Sequence, residues 1–146
     1  MNLRVKAMEE HDIGACTAIF IAAFSAEPWN DTSGPDDVSA YLLRFLELEG
    51  SMCFVCLSDD APAAMSIGMK KPYLGGVEYY IDQFCVAPAH QRRGIGSFFL
   101  NRIEALCAGQ GVSGMLLNTE FSFPARLFYE RNGFHVVEGL SVLVKE

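Results

Sequence analysis

The spacing of apolar residues predicts strands and helices in the first third of the chain. Residues 3–8, "LRVKAM", alternate apolar and polar positions as a half-buried strand does. Over 13–24 apolar residues recur at helical spacing, and the turn formers of "EPWNDTSGPDD" end that helix. A second helix is predicted between Pro35 and Gly50, because proline favours a helix's first turn and glycine its end.

The middle of the chain predicts a hairpin, a long strand and a long helix. "SMCFVCLSD" and "APAAMSIGMK" are strands joined by the turn formers Asp59 and Asp60. "VEYYIDQFCVAP" is rich in aromatic and β-branched residues, which favours a strand that ends at Pro88. An amphipathic helix is predicted from about Gln91 to Gln110.

The last third predicts a short buried strand, "GMLLNT", a short helix, "PARLFYERNGF", and one or two strands in "HVVEGLSVLVK". The resulting order is β-α-α-β-β-β-α-β-α-β(-β). It predicts a single α/β domain over residues 1–146, with a mixed, mostly antiparallel twisted sheet flanked by helices.

Composition narrows the classes of partner. Apolar residues make up 51% of the 146 and charged residues 20%, which is typical of a folded domain and excludes a disordered chain. The 11 Lys and Arg against 18 Asp and Glu give a formal net charge of −7. This balance argues against nucleic acid, whose binding requires a basic surface, and favours a cationic or amine-bearing partner.

The cysteines and the apolar runs predict a cytoplasmic protein without a membrane segment or a metal. No apolar run approaches the ~20 residues of a membrane span, and the first residues do not form a secretory signal. The five cysteines are odd in number and lie in apolar contexts, which favours reduced, buried thiols. Cys53 and Cys56 lie three apart on one strand and should face opposite sides, so they do not form a metal site.

The stretch "QRRGIG" carries the clearest chemistry. Gly94 and Gly96 open a helix after a strand, where unpaired backbone amides and the helix dipole favour a phosphate or pyrophosphate. Arg92 and Arg93 add positive charge. The alternative interpretation is a tight strand-to-helix turn without a ligand, in which the two glycines allow the turn and the arginines are solvated. A dinucleotide fingerprint is excluded because Phe99 replaces its third glycine, and no Gly-Lys-Ser/Thr completes a P-loop.

This stretch resembles the acetyl-CoA pyrophosphate loop, Gln/Arg-x-x-Gly-x-Gly/Ala, of the GNAT superfamily of N-acetyltransferases. Residues 81–119 resemble that family's strand–loop–helix–strand core, and "ARLFYERNGF" resembles its next helix. The order of elements matches over nearly the whole chain. The resemblance implies a GNAT-like fold, acetyl-CoA as cosubstrate and no metal.

The resemblance also implies which residues bind the cofactor. The pyrophosphate would be bound by the loop's backbone at Gln91, Arg92, Arg93, Gly94, Ile95, Gly96 and Ser97. The pantetheine arm would pair with the strand end at Phe84, Cys85 and Val86 and would contact Asn118.

Acetyl transfer to an amine needs a proton acceptor, because an alkyl ammonium has a pKa of about 10.4. Asp82 is the first candidate base and Glu78 the second, acting through water, although each could be only structural. Strand alternation places Glu78, Tyr80, Asp82 and Phe84 on one face. Tyr129 matches the family tyrosine that protonates the leaving sulfur, although it could simply pack beside its neighbour.

The segment between the first two helices lines the acceptor site in this family. Trp29 could stack on the acceptor or anchor the loop, and nearby acids could attract ammonium groups or cap the second helix. The candidate substrate-binding residues are Phe24, Glu27, Trp29, Asp31 and Tyr80.

These residues predict an acetyl-CoA-dependent N-acetyltransferase that transfers the acetyl group directly to a primary amine. The acceptor is expected to be small and cationic, aminoglycoside-like or polyamine-like, and the "IDQ" triplet also occurs in GNAT aminoglycoside acetyltransferases. The alternatives are an acyl-CoA-binding or regulatory module without turnover, and a protein or peptide N-terminal acetyltransferase. A homodimer is expected.

Overall fold

A five-stranded sheet lies at the centre of the computed structural model, which describes residues 1–146. The strands follow chain order across the sheet, and the three pairings among the first four are antiparallel, whereas the last pairing is parallel. The predicted mixed, mostly antiparallel sheet is therefore confirmed. The strands are β1 (Leu3–Ala7), β2 (Phe54–Ser58), β3 (Ala61–Tyr73), β4 (Gly76–Val86) and β5 (Val112–Leu117).

Four α-helices flank this sheet, and none is long and apolar enough to cross a membrane. Two short 3-10 turns, Glu10–Asp12 and Pro88–His90, precede the first and third helices. The helices are α1 (Ile13–Phe24), α2 (Pro35–Leu46), α3 (Ile95–Ala108) and α4 (Pro124–Arg131).

The sheet separates two apolar clusters. One packs α1 and α2 against the sheet and includes Leu42 and Cys53, whereas the other packs α3 against the opposite face and includes Phe99 and Cys56. The two cysteines therefore lie on opposite faces, as strand alternation predicts.

A β-bulge interrupts the pairing of β3 with β4 at Asp82. Gln83 lies opposite Ile67 and Ile81 lies opposite Gly68, so the residue between them has no partner. An extra residue reverses the direction of every side chain beyond it. Phe84 therefore packs on the α3 side with Ile81, and the prediction that it shares a face with Glu78 and Tyr80 is wrong.

The predicted final strands are absent. Residues 135–146 form neither helix nor strand, and β5 pairs only with β4. A strand forms only where its backbone amides and carbonyls find a partner. The apolar pattern "HVVEGLSVLVK" is present in the chain, but its backbone does not pair with β5, although both line one groove.

Candidate active site

The divergence of β4 and β5 opens one edge of the sheet. β5 pairs with β4 only as far as Leu117, opposite Ile81. Beyond this point, residues 83–86 pair with β3 alone, so their other edge is open. These residues include Phe84, Cys85 and Val86, where the sequence predicts pantetheine pairing. An open strand edge can bind an extended chain through its backbone.

Free backbone amides converge at the loop before α3. None of the backbone hydrogen bonds of the chain has a donor within residues 92–97. Arg92 and Gly94 have φ angles of 63° and 78°, and such left-handed residues turn successive amides toward a common concavity. Residues 91–94 are exposed. The loop therefore combines free amides, a helix N-terminus and two arginines, which fits the phosphates of a coenzyme.

The two glycines of this loop have different physical roles. A Cβ on Gly94 would meet nothing within 4 Å, so its outer side is open to a ligand. A Cβ on Gly96 would lie 3.0 Å from Cε1 of Phe128 and 3.6 Å from Cγ2 of Val86. Glycine is therefore required at position 96 because α3 packs closely against α4 and β4 there. It is required at position 94 because the backbone has a left-handed φ angle.

A cavity of about 380 Å³ lies where β4 and β5 diverge. Its walls come from the end of α1, the α1–α2 loop, the bulge of β4, the end of β5 and the start of α4. Seven residues predicted from the sequence line it: Phe24, Trp29, Asp31, Asp82, Phe84, Asn118 and Tyr129. The sequence reasoning did not identify Phe20, Ile81, Gln83, Leu117, Thr119, Glu120, Phe123 and Ala125 as lining residues.

Asp82 lies at the bulge and accepts a hydrogen bond from the Tyr41 hydroxyl on α2 through its Oδ2. Burial, together with the hydrogen bond to Asp82, raises the pKa of Tyr41, so the phenol remains a proton donor to the carboxylate. Tyr41 is a residue that the sequence reasoning missed. Its spacing within the predicted helix indicates a core position. Its hydrogen-bond partner, Asp82, lies 41 residues later in the sequence, so no local pattern connects the two.

Tyr129 is a buried phenol at the wall of the cavity. Its ring packs among Phe84, Phe128 and Phe134, with centroid distances of 6.2, 5.3 and 5.5 Å. Burial raises the pKa of Tyr129, and no hydrogen bond contributes to the shift. The phenol therefore keeps its proton at neutral pH and has it available to donate.

Cys85 lies beside this site but does not offer a thiolate. Burial raises its pKa, so the side chain is a neutral thiol at neutral pH. This favours direct transfer over a route through a cysteine acyl-enzyme.

Aromatic rings close the cavity on the side of the α1–α2 loop. Trp29 makes edge contacts with Phe24 at 5.4 Å and with Phe123 at 6.0 Å between centroids. The contact with Phe123 joins the α1–α2 loop to the residue before α4. Asp31 uses Oδ1 to accept hydrogen bonds from the Ser33 amide and hydroxyl, so it also shapes the loop.

The lining is acidic and contains no basic side chain. Its charged residues are three carboxylates, Asp31, Asp82 and Glu120. Carboxylates beside aromatic rings attract an ammonium group through charge and through the faces of the rings.

Three of the residues predicted for catalysis or acceptor binding lie outside the lining of this cavity. Glu78 pairs with Lys71 at 3.8 Å, near the other end of β4. Glu27 is exposed in the α1–α2 loop. The Tyr80 hydroxyl accepts a hydrogen bond from Asn118 Nδ2 at 3.1 Å, so it reaches the cavity only through that residue.

Known proteins share this architecture. The acetyltransferase (GNAT) family model matches residues 15–134. No curated protein matches the chain in sequence. Among solved structures, a possible acetyltransferase from Clostridium difficile 630 superposes with a TM-score of 0.85 at 16% identity, over 100% of this chain and 99% of that chain.

Two further structures have named activities. Aminoglycoside N-acetyltransferase AAC(6')-Iy in complex with CoA has a TM-score of 0.78 at 13% identity, covering 99% of this chain and 95% of its own. Ribosomal-protein-alanine N-acetyltransferase from Brucella melitensis biovar Abortus 2308 has a TM-score of 0.80 at 13% identity, covering 100% of both chains. At these identities the similarity shows a common fold. With the family match over residues 15–134, it establishes that the chain belongs to the GNAT acetyltransferase family, whose members use acetyl-CoA.

Proposed function

We propose that this chain, acting as one domain over residues 1–146, transfers an acetyl group from acetyl-CoA directly to a primary amine of a small, cationic acceptor. The observation that carries the proposal is the cavity at the divergence of β4 and β5. A carboxylate, a buried phenol and an acidic, aromatic lining meet there, beside a strand edge that can bind an extended chain.

Backbone groups of the chain fit the coenzyme. The free amides of residues 92–97 and the guanidinium groups of Arg92 and Arg93 would hold its pyrophosphate. The open edge of residues 84–86 would pair with its pantetheine arm. Bound there, acetyl-CoA supplies an acetyl thioester, an acyl group already activated for transfer.

Asp82 is the proposed proton acceptor. Tyr41 occupies its Oδ2, so Oδ1 is the oxygen that takes the proton of the acceptor ammonium, directly or through one water. The neutral amine then forms the new C–N bond as the C–S bond breaks. Glu78 is the weaker candidate because it is paired with Lys71 and does not line the cavity.

Tyr129 is the proposed proton donor to the departing sulfur. A buried phenol with a raised pKa is protonated throughout the working pH range, and its hydroxyl has no hydrogen bond to give up first. The proton moves from the phenol oxygen to the thiolate sulfur and converts it to a free thiol. After the C–N bond forms, the nitrogen carries one proton too many and returns it, through water, to the phenoxide, which restores Tyr129 and leaves a neutral amide.

The acceptor is proposed to be compact as well as cationic. A volume of about 380 Å³ is at the lower end of the roughly 300–1,000 Å³ of small-molecule sites. The contact between Trp29 and Phe123 closes one wall, which favours a small amine, or one ring of an aminoglycoside, over an extended peptide. Aminoglycosides and polyamines are therefore the acceptor classes to test first.

Two measurements test this proposal. Acetyl-CoA should raise the melting temperature whereas ATP and NAD should not, because only a ligand specific to the folded state stabilises it. Trp29→Ala should raise KM for a cationic amine about tenfold, whereas Tyr73→Ala, which alters an exposed aromatic at the β3–β4 turn, should not. Equal KM values for the two variants would remove Trp29 from the acceptor site.

A further inference from the structure

The sheet supports Asp82 less than it supports the other residues in the middle of β4. Asp82 lies at the bulge between Ile81 and Gln83 and has no paired residue in β3 or in β5. Its carboxylate takes part in none of the ion pairs of the chain. A bulge redirects a side chain, but a carboxylate can still rotate about the bonds that carry it. The orientation of this carboxylate therefore depends on contacts from outside the sheet.

One side-chain hydrogen bond supplies such a contact. The Tyr41 hydroxyl on α2 donates it to Oδ2 of Asp82. Asp82 lines the cavity of the candidate active site, whereas Tyr41 does not. An acceptor in the cavity would therefore contact the carboxylate and not the phenol, so Tyr41 can affect the acceptor only through Asp82.

The Tyr41 ring is itself held in place by two helices. It makes edge contacts with Phe20 on α1 and Phe45 on α2, at 6.3 and 6.4 Å between centroids. A hydrogen bond of 2.9 Å between the hydroxyls of Thr17 and Ser39 joins the same two helices. A donor fixed by packing in this way can fix the group to which it donates.

We propose that Tyr41 is a positioning residue for acetyl transfer: its hydrogen bond to Oδ2 of Asp82 keeps Oδ1 directed toward the acceptor. The inference rests on the proposed function, because the orientation of Asp82 affects the rate only if Asp82 is the base. A base must lie within hydrogen-bond reach of the proton that it removes, and a small displacement of a reacting group lowers the rate strongly. Tyr41 thereby links the packing of α1 and α2 to the chemistry at β4.

Tyr41→Phe tests this role because it removes only the hydroxyl. The ring contacts with Phe20 and Phe45 are retained, so the variant should fold. Its kcat should fall about tenfold, because the base is no longer held in one orientation. KM for a cationic amine and Kd for acetyl-CoA should stay within about twofold of wild type, because the charge of Asp82 and the coenzyme loop are unchanged.

Tyr79→Phe is the matched control. Tyr79 is a buried tyrosine of β4 whose hydroxyl donates a hydrogen bond to the Met52 carbonyl at 2.7 Å, and it does not line the cavity. Each variant loses one tyrosine hydroxyl and one hydrogen bond, so both should melt at a lower temperature than the wild type. Only Tyr41→Phe should lose kcat.

Combining Tyr41→Phe with Asp82→Asn separates positioning from general structural damage. Without the carboxylate there is no base to position, so adding Tyr41→Phe should lower the remaining rate less than about twofold. An equal loss of kcat in both backgrounds, or wild-type kcat in Tyr41→Phe, would overturn the positioning role and leave Asp82 as the base. Wild-type kcat in Asp82→Asn would instead refute the base of the proposed function, and the positioning role with it.

Crystal structures of the variants provide a readout that needs no amine. The Asp82 carboxylate should adopt a single orientation in the wild type and in Tyr79→Phe, and more than one in Tyr41→Phe. An unchanged orientation in Tyr41→Phe would contradict the proposal, even if no acceptor is acetylated.

Discussion

Asp82 and Tyr129 line the same cavity, but their surroundings suit them to opposite proton transfers. Asp82 lies at a bulge, where one oxygen is held by Tyr41 and the other is free. Tyr129 is enclosed by aromatic rings, and burial raises its pKa, so its phenol stays protonated. The free carboxylate oxygen can accept a proton and the buried phenol can donate one, which suits the two side chains to base and acid roles.

Asp82→Asn should lower kcat/KM about 100-fold at neutral pH, within the range by which a general base contributes. The difference should shrink as the pH approaches the amine pKa of about 10.4, because the acceptor then loses its proton without help. Glu78→Gln, on the same strand but paired with Lys71, should change the rate less than twofold. A larger loss in Glu78→Gln than in Asp82→Asn would reverse the assignment of the base.

Tyr129→Phe should lower kcat at least tenfold and leave the Kd for acetyl-CoA within twofold. The ring and its aromatic packing are retained, and only the proton donor is removed. Because burial raises the pKa of Tyr129 in the folded protein, deprotonation of this phenol should not lower the wild-type rate between pH 7 and about 10. Equal kcat values for the two proteins would show that Tyr129 has only a packing role.

The residues of the site could be predicted from the sequence where a local motif marks them. Gly94 and Tyr129 lie in two short motifs, "QRRGIG" and "ARLFYERNGF", that resemble the GNAT family. Trp29 is the only tryptophan of the chain and lies in a turn-rich loop. Tyr41 and Glu120 have no such pattern. Tyr41 contacts Asp82 and Glu120 lines the cavity because of how α2 and the residues after β5 pack, which is a long-range property.

At the scale of secondary-structure elements, the strand–loop–helix unit of β4 and α3 forms the proposed coenzyme site. The helix begins at Ile95, later than the predicted Gln91, because the residues before it adopt left-handed backbone angles. That delayed start leaves the amides of residues 92–97 free. The conformation of the loop, more than its two arginines, therefore makes it suitable for a pyrophosphate.

Gly94→Glu should raise the Kd for acetyl-CoA at least 100-fold, because its side chain would project into the open side of the loop with a negative charge. Gly111→Glu is a matched control at the opposite end of α3. Its φ of 77° is close to the 78° of Gly94, and a Cβ there also meets nothing within 4 Å. Both variants should lose about 1–2 kcal/mol of stability from the left-handed backbone. Similar Kd values, measured by calorimetry, would contradict the pyrophosphate assignment.

Apolar periodicity predicted the helices and strands of the chain up to Arg131, because each buries one face or both. It could not predict the bulge at Asp82, since apolar and aromatic residues occupy both alternating positions of β4. It also predicted final strands that are absent, because the apolar pattern shows which residues can form a strand but not whether their backbone pairs with a neighbouring edge.

At the scale of the whole molecule, the buried cysteines make the fold sensitive to alkaline pH. Burial raises the pKa of Cys53, Cys56 and Cys107 to about 11 and that of Cys16 to about 12. In the unfolded chain thiols ionise near 8.5. The folded state therefore retains thiol protons that the unfolded state releases. The stabilisation from these protonated thiols is fully present below the unfolded pKa and is lost as the pH rises toward 11–12.

The free energy of unfolding, measured with urea, should not change through these thiols from pH 6 to about 7 and should fall progressively above about pH 8. Each thiol contributes a slope of about 1.4 kcal/mol per pH unit in that window. Cys16→Ala should give a lower but less steep curve, because one buried thiol is removed. A flat curve up to pH 10 would show that these thiols ionise as easily in the folded chain as in the unfolded one.

Mass spectrometry of a mixed amine panel incubated with the protein and acetyl-CoA tests the proposed acetyl transfer most directly. The panel contains aminoglycosides, polyamines, amino acids and short peptides, and Asp82→Asn is run beside the wild type. We expect one cationic small amine to become heavier by a single acetyl group, with one free thiol released per product and little product from the variant. Intact acetyl-CoA binding without any acetylated amine, or acetylation confined to peptides, would contradict it.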